Sequence, residues 1–145
     1  MITGFWIEGS DEPVKCPLPG MVWITTQNGR STSYRIYAVK ERPTTLDDLV
    51  YEMPLPNVGG GGMCWGTTQM PDIPEASIDF GPAWTAFFST PFGNHTVYNK
   101  SQRKKYKNDI RLLLFDLAKR GAKTYPVSDL VKVTTLKRVL EGNWR

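Results

Sequence analysis

Apolar and polar positions change rhythm along this chain. Residues 21–26 and 32–39 are rich in β-branched and aromatic side chains, which suit a pleated, half-buried surface. Between them Gln27-Asn28-Gly29-Arg30 carries an Asn-Gly pair, which supplies positive φ at little steric cost. The pattern predicts an antiparallel hairpin. A short strand is expected over residues 5–8, followed by Cys16-Pro17-Leu18-Pro19-Gly20, whose prolines and glycine oppose regular pairing.

Between residues 42 and 74 no clear period survives. Pro43, Pro54, Pro56, Pro71, Pro74 and the run Gly59-Gly60-Gly61-Gly62 leave room only for extended pieces over residues 49–53 and 63–65. A structured loop of this length inside a compact domain is uncommon unless it is functional or flexible, so its centre draws attention.

A helical period then takes over. Pro82 suits the first turn of a helix whose Trp84, Phe87 and Phe88 share a face until Pro91 stops it. Ser101 is placed to cap a longer helix through about residue 120, with Tyr106, Ile110, Leu113, Leu114 and Leu117 as its apolar stripe. Gly121 would follow as the C′ residue. A last helix, from Thr134 or Thr135 through Glu141 with Gly142 beyond it, would bury Leu136, Val139 and Leu140. Strands first, loop in the middle and helices last predict the α+β class. The expected architecture is one domain over residues 1–145, an antiparallel β-meander with a cysteine-bearing loop and C-terminal helices on one face.

Composition narrows the setting. A chain of 145 residues with 40% hydrophobic positions can build a core. No apolar run approaches the roughly 20 residues needed to cross a bilayer, and residues 1–9 lack the basic start and long apolar run of a signal peptide. A cytoplasmic location without membrane contact is expected, with Cys16 and Cys64 reduced. The net charge of +4 is unevenly spread: residues 1–100 carry 6 basic against 10 acidic groups, and residues 101–145 carry 12 against 4. Such a basic tail can steer an acidic partner, but modest basic surfaces are common and nucleic acid is not the expected partner.

Candidate chemistry is sparse. His95 is the one histidine, no Cys or His pair stands at zinc-ligand spacing, and no glycine-rich phosphate motif is present. The informative segment is Pro54-Leu55-Pro56-Asn57-Val58-Gly59-Gly60-Gly61-Gly62-Met63-Cys64-Trp65-Gly66, in which Asn57 precedes Cys64 across a stretch able to bend back. The thiolate is the reactive form of cysteine and can hold an acyl group as a thioester. A neighbouring amide donor stabilises the oxyanion formed when that group is attacked. Cys64 as nucleophile and Asn57 as oxyanion donor would make such a pair.

Each of these residues also has a plainer role. Cys64 beside Trp65 can be a packing residue, and Asn57 can close an Asx-turn. The four glycines can form a flexible hairpin tip or leave space for an incoming peptide tail. His95 can be a general base or a surface group. The cluster Arg103, Lys104, Lys105 and Lys107, placed on the longer helix, can be a solvated face or a docking surface. Cys16 lacks a comparable setting.

The same segment resembles the active-site stretch of ubiquitin-conjugating enzymes, which runs His-Pro-Asn, a short loop with glycine, then the catalytic cysteine. Pro56-Asn57 match the Pro-Asn, Gly62 the glycine and Cys64 the nucleophile. Leu55 stands at the histidine position, and the interval from Asn57 to Cys64 is slightly shorter than usual. A closer similarity is to the prokaryotic ubiquitin-conjugating-like family D, which includes PRTRC system protein B. It is carried by Arg42-Pro43-Thr44, Tyr51, Pro54-Leu55-Pro56-Asn57-Val58, Cys64-Trp65-Gly66 and residues 84–92.

The resemblance implies a strand meander, a cysteine-bearing loop and then helices; classical members begin with a helix that contacts the activating enzyme, whereas this chain is expected to open almost directly on strands and to lack it. It further implies that Cys64 accepts the C-terminus of a ubiquitin-like protein from an activating enzyme, that Asn57 steadies the oxyanion during transfer, and that no cofactor is required because ATP is consumed by the activating partner. The alternative is a non-catalytic module of the same fold that binds a ubiquitin-like or plasmid-maintenance partner.

Overall fold

The computed structural model describes residues 2–28, 31–65 and 80–142. The expected hairpin is its longest pairing. β3 (Gly20–Asn28) and β4 (Ser31–Val39) run antiparallel in unbroken register from Gly20↔Val39 to Asn28↔Ser31; Gly29 and Arg30 lie outside the described residues. Ahead of them, β1 (Ile2–Phe5) pairs with β2 (Val14–Pro17) in a separate two-stranded sheet. The first strand therefore lies earlier than residues 5–8, and pairing continues to Cys16 and Pro17, where none was expected. Pro17 ends its strand in a two-stranded sheet, a position where the missing N–H costs least.

β4 organises the larger sheet. One edge carries β3; the other is shared by β5 (Leu49–Tyr51) through Ala38↔Tyr51 and by β7 (Gly62–Met63) through Arg35↔Gly62. β7 pairs in turn with β6 (Val58–Gly59). β5 pairs with β8 (Lys132–Thr135), a strand the reading of the sequence missed. β8 follows directly on a 3-10 turn, Val127–Asp129, and four residues between helical signals are too few for a period-2 pattern to stand out.

Helix α1 (Gly81–Ser89) has Pro82 in its first turn and buries Ala83, Phe87 and Phe88. Helix α2 is shorter than expected, Ile110–Lys119, and its N-cap is Asp109, whose side chain accepts from the Arg111 N–H at 3.0 Å. Ser101 caps no helix. Its hydroxyl donates to Asp129 Oδ2 at 2.6 Å and accepts from the Arg103 N–H at 3.1 Å, the local side-chain bonding with which serine competes against helix. At the other end Gly121 adopts φ 62, with Gly121 N–H bonded to Ala118 and Ala122 N–H to Leu117, the pair of bonds that defines a Schellman stop.

Helix α3 (Leu136–Glu141) is capped by Thr135 and ended by Gly142 at φ 74. Val139 is buried and Leu136 half-buried, but Leu140 is exposed, because a six-residue helix presents only one narrow stripe to the sheet.

The expectation that the helices gather on one face does not hold. Ile36 and Ala38 of β4 face the main core, with Phe87 and Phe88 of α1 and Leu113, Leu114 and Leu117 of α2. Tyr37 and Val39 face a smaller cluster with Val50 and Val139 of α3. Alternate residues of a strand point to opposite faces. β4 is apolar on both, so each face needs a cover, and α3 supplies the second.

Candidate active site

The segment from Pro54 to Trp65 folds as a tight hairpin laid against β4. Val58 pairs with Met63 and Gly59 with Gly62, leaving Gly60 and Gly61 as a two-residue turn with φ 55 and 83. Positive φ at both central residues is the type I′ geometry whose twist matches the flanking strands. The glycines are also needed for close approach. A Cβ on Gly61 would stand 2.2 Å from the Tyr37 ring, and one on Gly59 would stand 3.0 Å from Thr96. Tyr37 Oη donates to Gly60 O at 3.1 Å, the Ile36 N–H to Gly61 O at 2.9 Å, and the Gly60 N–H to Glu52 Oε2 at 3.2 Å. The run is a packed turn rather than a loose tip.

One step below Val58↔Met63, at the neck of the hairpin, Asn57 and Cys64 meet. The Cys64 N–H donates to Asn57 O at 2.7 Å. Asn57 follows Pro56 and has φ 62, the residue pattern of a type II turn, in which Asn or Gly takes the left-handed position. Its own N–H donates to His95 O at 2.9 Å, and its side-chain Oδ1 accepts from the Gly93 N–H at 3.3 Å. Asn57 is buried at 9% exposure, whereas Cys64 is exposed. Because Oδ1 faces a backbone donor, the Nδ2 end of the carboxamide is turned away from Gly93. Trp65 anchors the backbone next to the cysteine, packing edge-on against Phe87 at 5.3 Å and tilted against Tyr34 at 5.6 Å.

Leu55, at the position where the resemblance has a histidine, is fully buried in the main core. Lys100 reaches its carbonyl from the loop that follows α1. Lys100 Nζ donates to Leu55 O and Val58 O, on either side of the Pro56-Asn57 turn. Lys100 is only 2% exposed. Burial pushes its ammonium down to about 8, and the Glu52 carboxylate opposes part of that shift. Burial likewise raises the Glu52 carboxyl, with Lys100 and the Gly60 N–H acting against it. Glu52, Gly59, Gly60, Thr96, Tyr98, Asn99 and Lys100 line a cleft of about 290 Å³ beside the hairpin.

Two other sequence candidates fall elsewhere. The imidazole of His95 is exposed, and the tie between His95 and the site runs through its backbone carbonyl. Cys16 is fully buried between the sheet and α2, where desolvation pushes its thiol up to about 12. The basic cluster does not ride on a helix: Lys105 pairs with Asp116 at 3.2 Å, and Tyr106 Oη donates to the same carboxylate at 2.6 Å. Among the described residues, no three His, Cys, Asp or Glu side chains converge as metal ligands.

The sequence reading did not single out Lys100, Glu52, Tyr37 or Gly93. Lys100 stands in the polar run Tyr98-Asn99-Lys100-Ser101, which carries no mark of burial. Tyr37 is one apolar residue in a strand apolar on both faces.

A family model described as Prokaryotic E2 family D matches residues 4–133. The chain belongs to this family. The match takes in the second half of β1, all of β2, the hairpin with Asn57 and Cys64, α1, α2 and the first half of β8. Membership of prokaryotic E2 family D makes the protein E2-like, and ubiquitin-like proteins and activating enzymes are the general class of partner that such membership suggests. No curated protein and no solved structure matches the chain. No helix among the described residues is long and apolar enough to cross a membrane.

Proposed function

We propose that this chain, acting as a single E2-like domain close to PRTRC system protein B, carries a ubiquitin-like modifier as a thioester on Cys64, with Asn57 as the oxyanion donor during transfer. The observation that carries this reading is the neck of the hairpin. There an exposed thiol-bearing residue is hydrogen-bonded through its backbone to an asparagine whose carboxamide is held by a second loop.

In loading, the Cys64 thiolate attacks the acyl thioester presented by an activating enzyme; a new C–S bond forms and the old one breaks, releasing the enzyme's thiolate. In discharge, an amine nitrogen attacks the same carbonyl carbon. The oxygen gains negative charge, the Asn57 amide donates to it, and the C–N bond forms as the Cys64 thiolate leaves and the amine's proton passes to solvent. Stabilisation of developing charge by a fixed donor is worth about 10²–10³ in rate for one such group.

The test needs no knowledge of the modifier. Cys64 is acylated with a small aryl thioester in a Cys16→Ala background, and the bound acyl group is then released with butylamine. The Asn57→Ala protein is expected to reach the same final extent of loading and to slow aminolysis by about 10²-fold. Aminolysis equal in the two proteins, and equal to that of the same acyl group on a free thiol, would leave the E2-like domain as a binding module with Cys64 as a bystander.

A further inference from the structure

Lys100 is an unusual residue to find buried. An ammonium withdrawn from water needs compensating acceptors, and here two are backbone carbonyls separated by only three positions, Leu55 O and Val58 O. Between those carbonyls lies the turn that puts Asn57 at φ 62. The mount of Lys100 is rigid on both sides. The Asn99 N–H donates to Lys107 O at 2.7 Å, the Ile110 N–H to Val97 O at 2.7 Å, and Ser101 is bonded to the buried Asp129 at 2.6 Å. Glu52, on the segment after β5, provides the counter-charge and also receives the Gly60 N–H at the hairpin tip. A single cation thus ties the neck of the hairpin to the loop after α1, while the Glu52 carboxylate ties the tip to the sheet.

We propose that Lys100 is a positioning residue for the Asn57–Cys64 pair: by gathering the carbonyls of Leu55 and Val58 it holds the turn that sets the Asn57 carboxamide, and so controls discharge of an acyl group from Cys64 without touching it. This rests on the reading of Cys64 as an acyl carrier. It departs from a purely structural role in one respect. Loss of Lys100 acts through Asn57, so the two residues lie on one line of effect, and changes at both do not compound.

The experiment uses the full chain with Cys16→Ala, loaded at Cys64 with the small aryl thioester and discharged by butylamine, in four forms: parent, Asn57→Ala, Lys100→Met and the double variant. Amide exchange is followed in parallel at the Cys64 and Gly93 N–H groups, which bond to Asn57 O and Oδ1, with the β3–β4 ladder as internal reference. The expected result is the same final extent of loading in Lys100→Met and aminolysis slowed by about tenfold or more, up to the about 10²-fold loss of Asn57→Ala. The double variant is expected to be less than about twofold slower again, and exchange at the two amides about tenfold faster relative to the ladder. Lys100→Arg, which keeps a cation and several donors, is expected to restore part of the rate.

Aminolysis at the parent rate in Lys100→Met while Asn57→Ala is slow would overturn the positioning role and leave the oxyanion role standing. So would effects that multiply in the double variant. If Asn57→Ala itself discharges at the parent rate, and that rate equals discharge from a free thiol, the acyl-carrier reading fails instead, and unchanged exchange at the Cys64 and Gly93 amides then removes the positioning of Asn57 by Lys100 as well. Should Lys100→Met not fold, Lys100→Gln, which retains N–H donors on a shorter stem, carries the same comparison.

Discussion

Lys100 shows how one residue can tie together a site while costing stability. Its ammonium is held near 8 in the folded chain, against about 10.4 for an exposed lysine. Between those values the unfolded chain binds the proton and the folded chain does not, so stability against unfolding rises with pH across that window, by up to about 1.4 kcal/mol per pH unit. Cys16 and Tyr37, both pushed up to about 12 by burial, act in the opposite sense at alkaline pH, since there the folded chain retains protons that the unfolded chain has lost. The difference between parent and Lys100→Met isolates the lysine. Urea unfolding at intervals from pH 7.5 to about 10 is expected to show the parent gaining on the variant as the pH rises, and a constant difference would mean that the Lys100 ammonium is not withdrawn from water.

Among the elements, the β6–β7 hairpin is the one whose sequence has least freedom. Gly61 combines φ 83 with a Cβ position 2.2 Å from the Tyr37 ring. Gly61→Ala therefore meets both a backbone penalty and an overpacking penalty, together about 3 kcal/mol. The loss is to be read as a lower urea midpoint at unchanged m-value. A Gly121→Ala change gives the contrast: φ is 62, but nothing lies within 4 Å of the added methyl, so only the backbone penalty of about 1 kcal/mol remains. If the two variants lost equal stability, Tyr37 would not be packed over the turn. The hairpin and the Gly93 to Lys100 loop hold one another through Gly59 against Thr96, Asn57 bonded to His95 and Gly93, and Lys100 bonded to Leu55 and Val58. The neck that bears Cys64 is thus fixed from two sides.

At the scale of the whole molecule the two cysteines divide cleanly. Cys16 is sealed between the β1–β2 sheet and α2, and Cys64 stands at the surface. Native labelling with iodoacetamide, read site by site, is expected to modify Cys64 promptly and Cys16 only through global opening. For a domain with the usual 5 kcal/mol or more of stability this makes Cys16 slower by a factor of about 10³ or greater. Comparable native rates at both sites would mean that the β1–β2 sheet opens independently of the rest.

Local preference was enough to determine much of this protein from sequence. The β3–β4 hairpin, α1 behind Pro82, the glycine stops after α2 and α3, and the pairing of an asparagine in a proline turn with a cysteine beyond four glycines all follow from φ restrictions, side-chain branching and period. Those forces act between residues a few positions apart. What the tertiary structure alone decided lies further along the chain. Lys100 bonds across 45 and 42 positions to Leu55 and Val58, and Arg35 across 104 positions to Val139. β8 joins β5 from the far end of the chain, and α3 crosses to the second face of β4. A lysine's burial, a short strand's partner and a helix's choice of face depend on which acceptors and apolar surfaces remain uncovered once the rest has packed, and that is a property of the assembled molecule rather than of any segment.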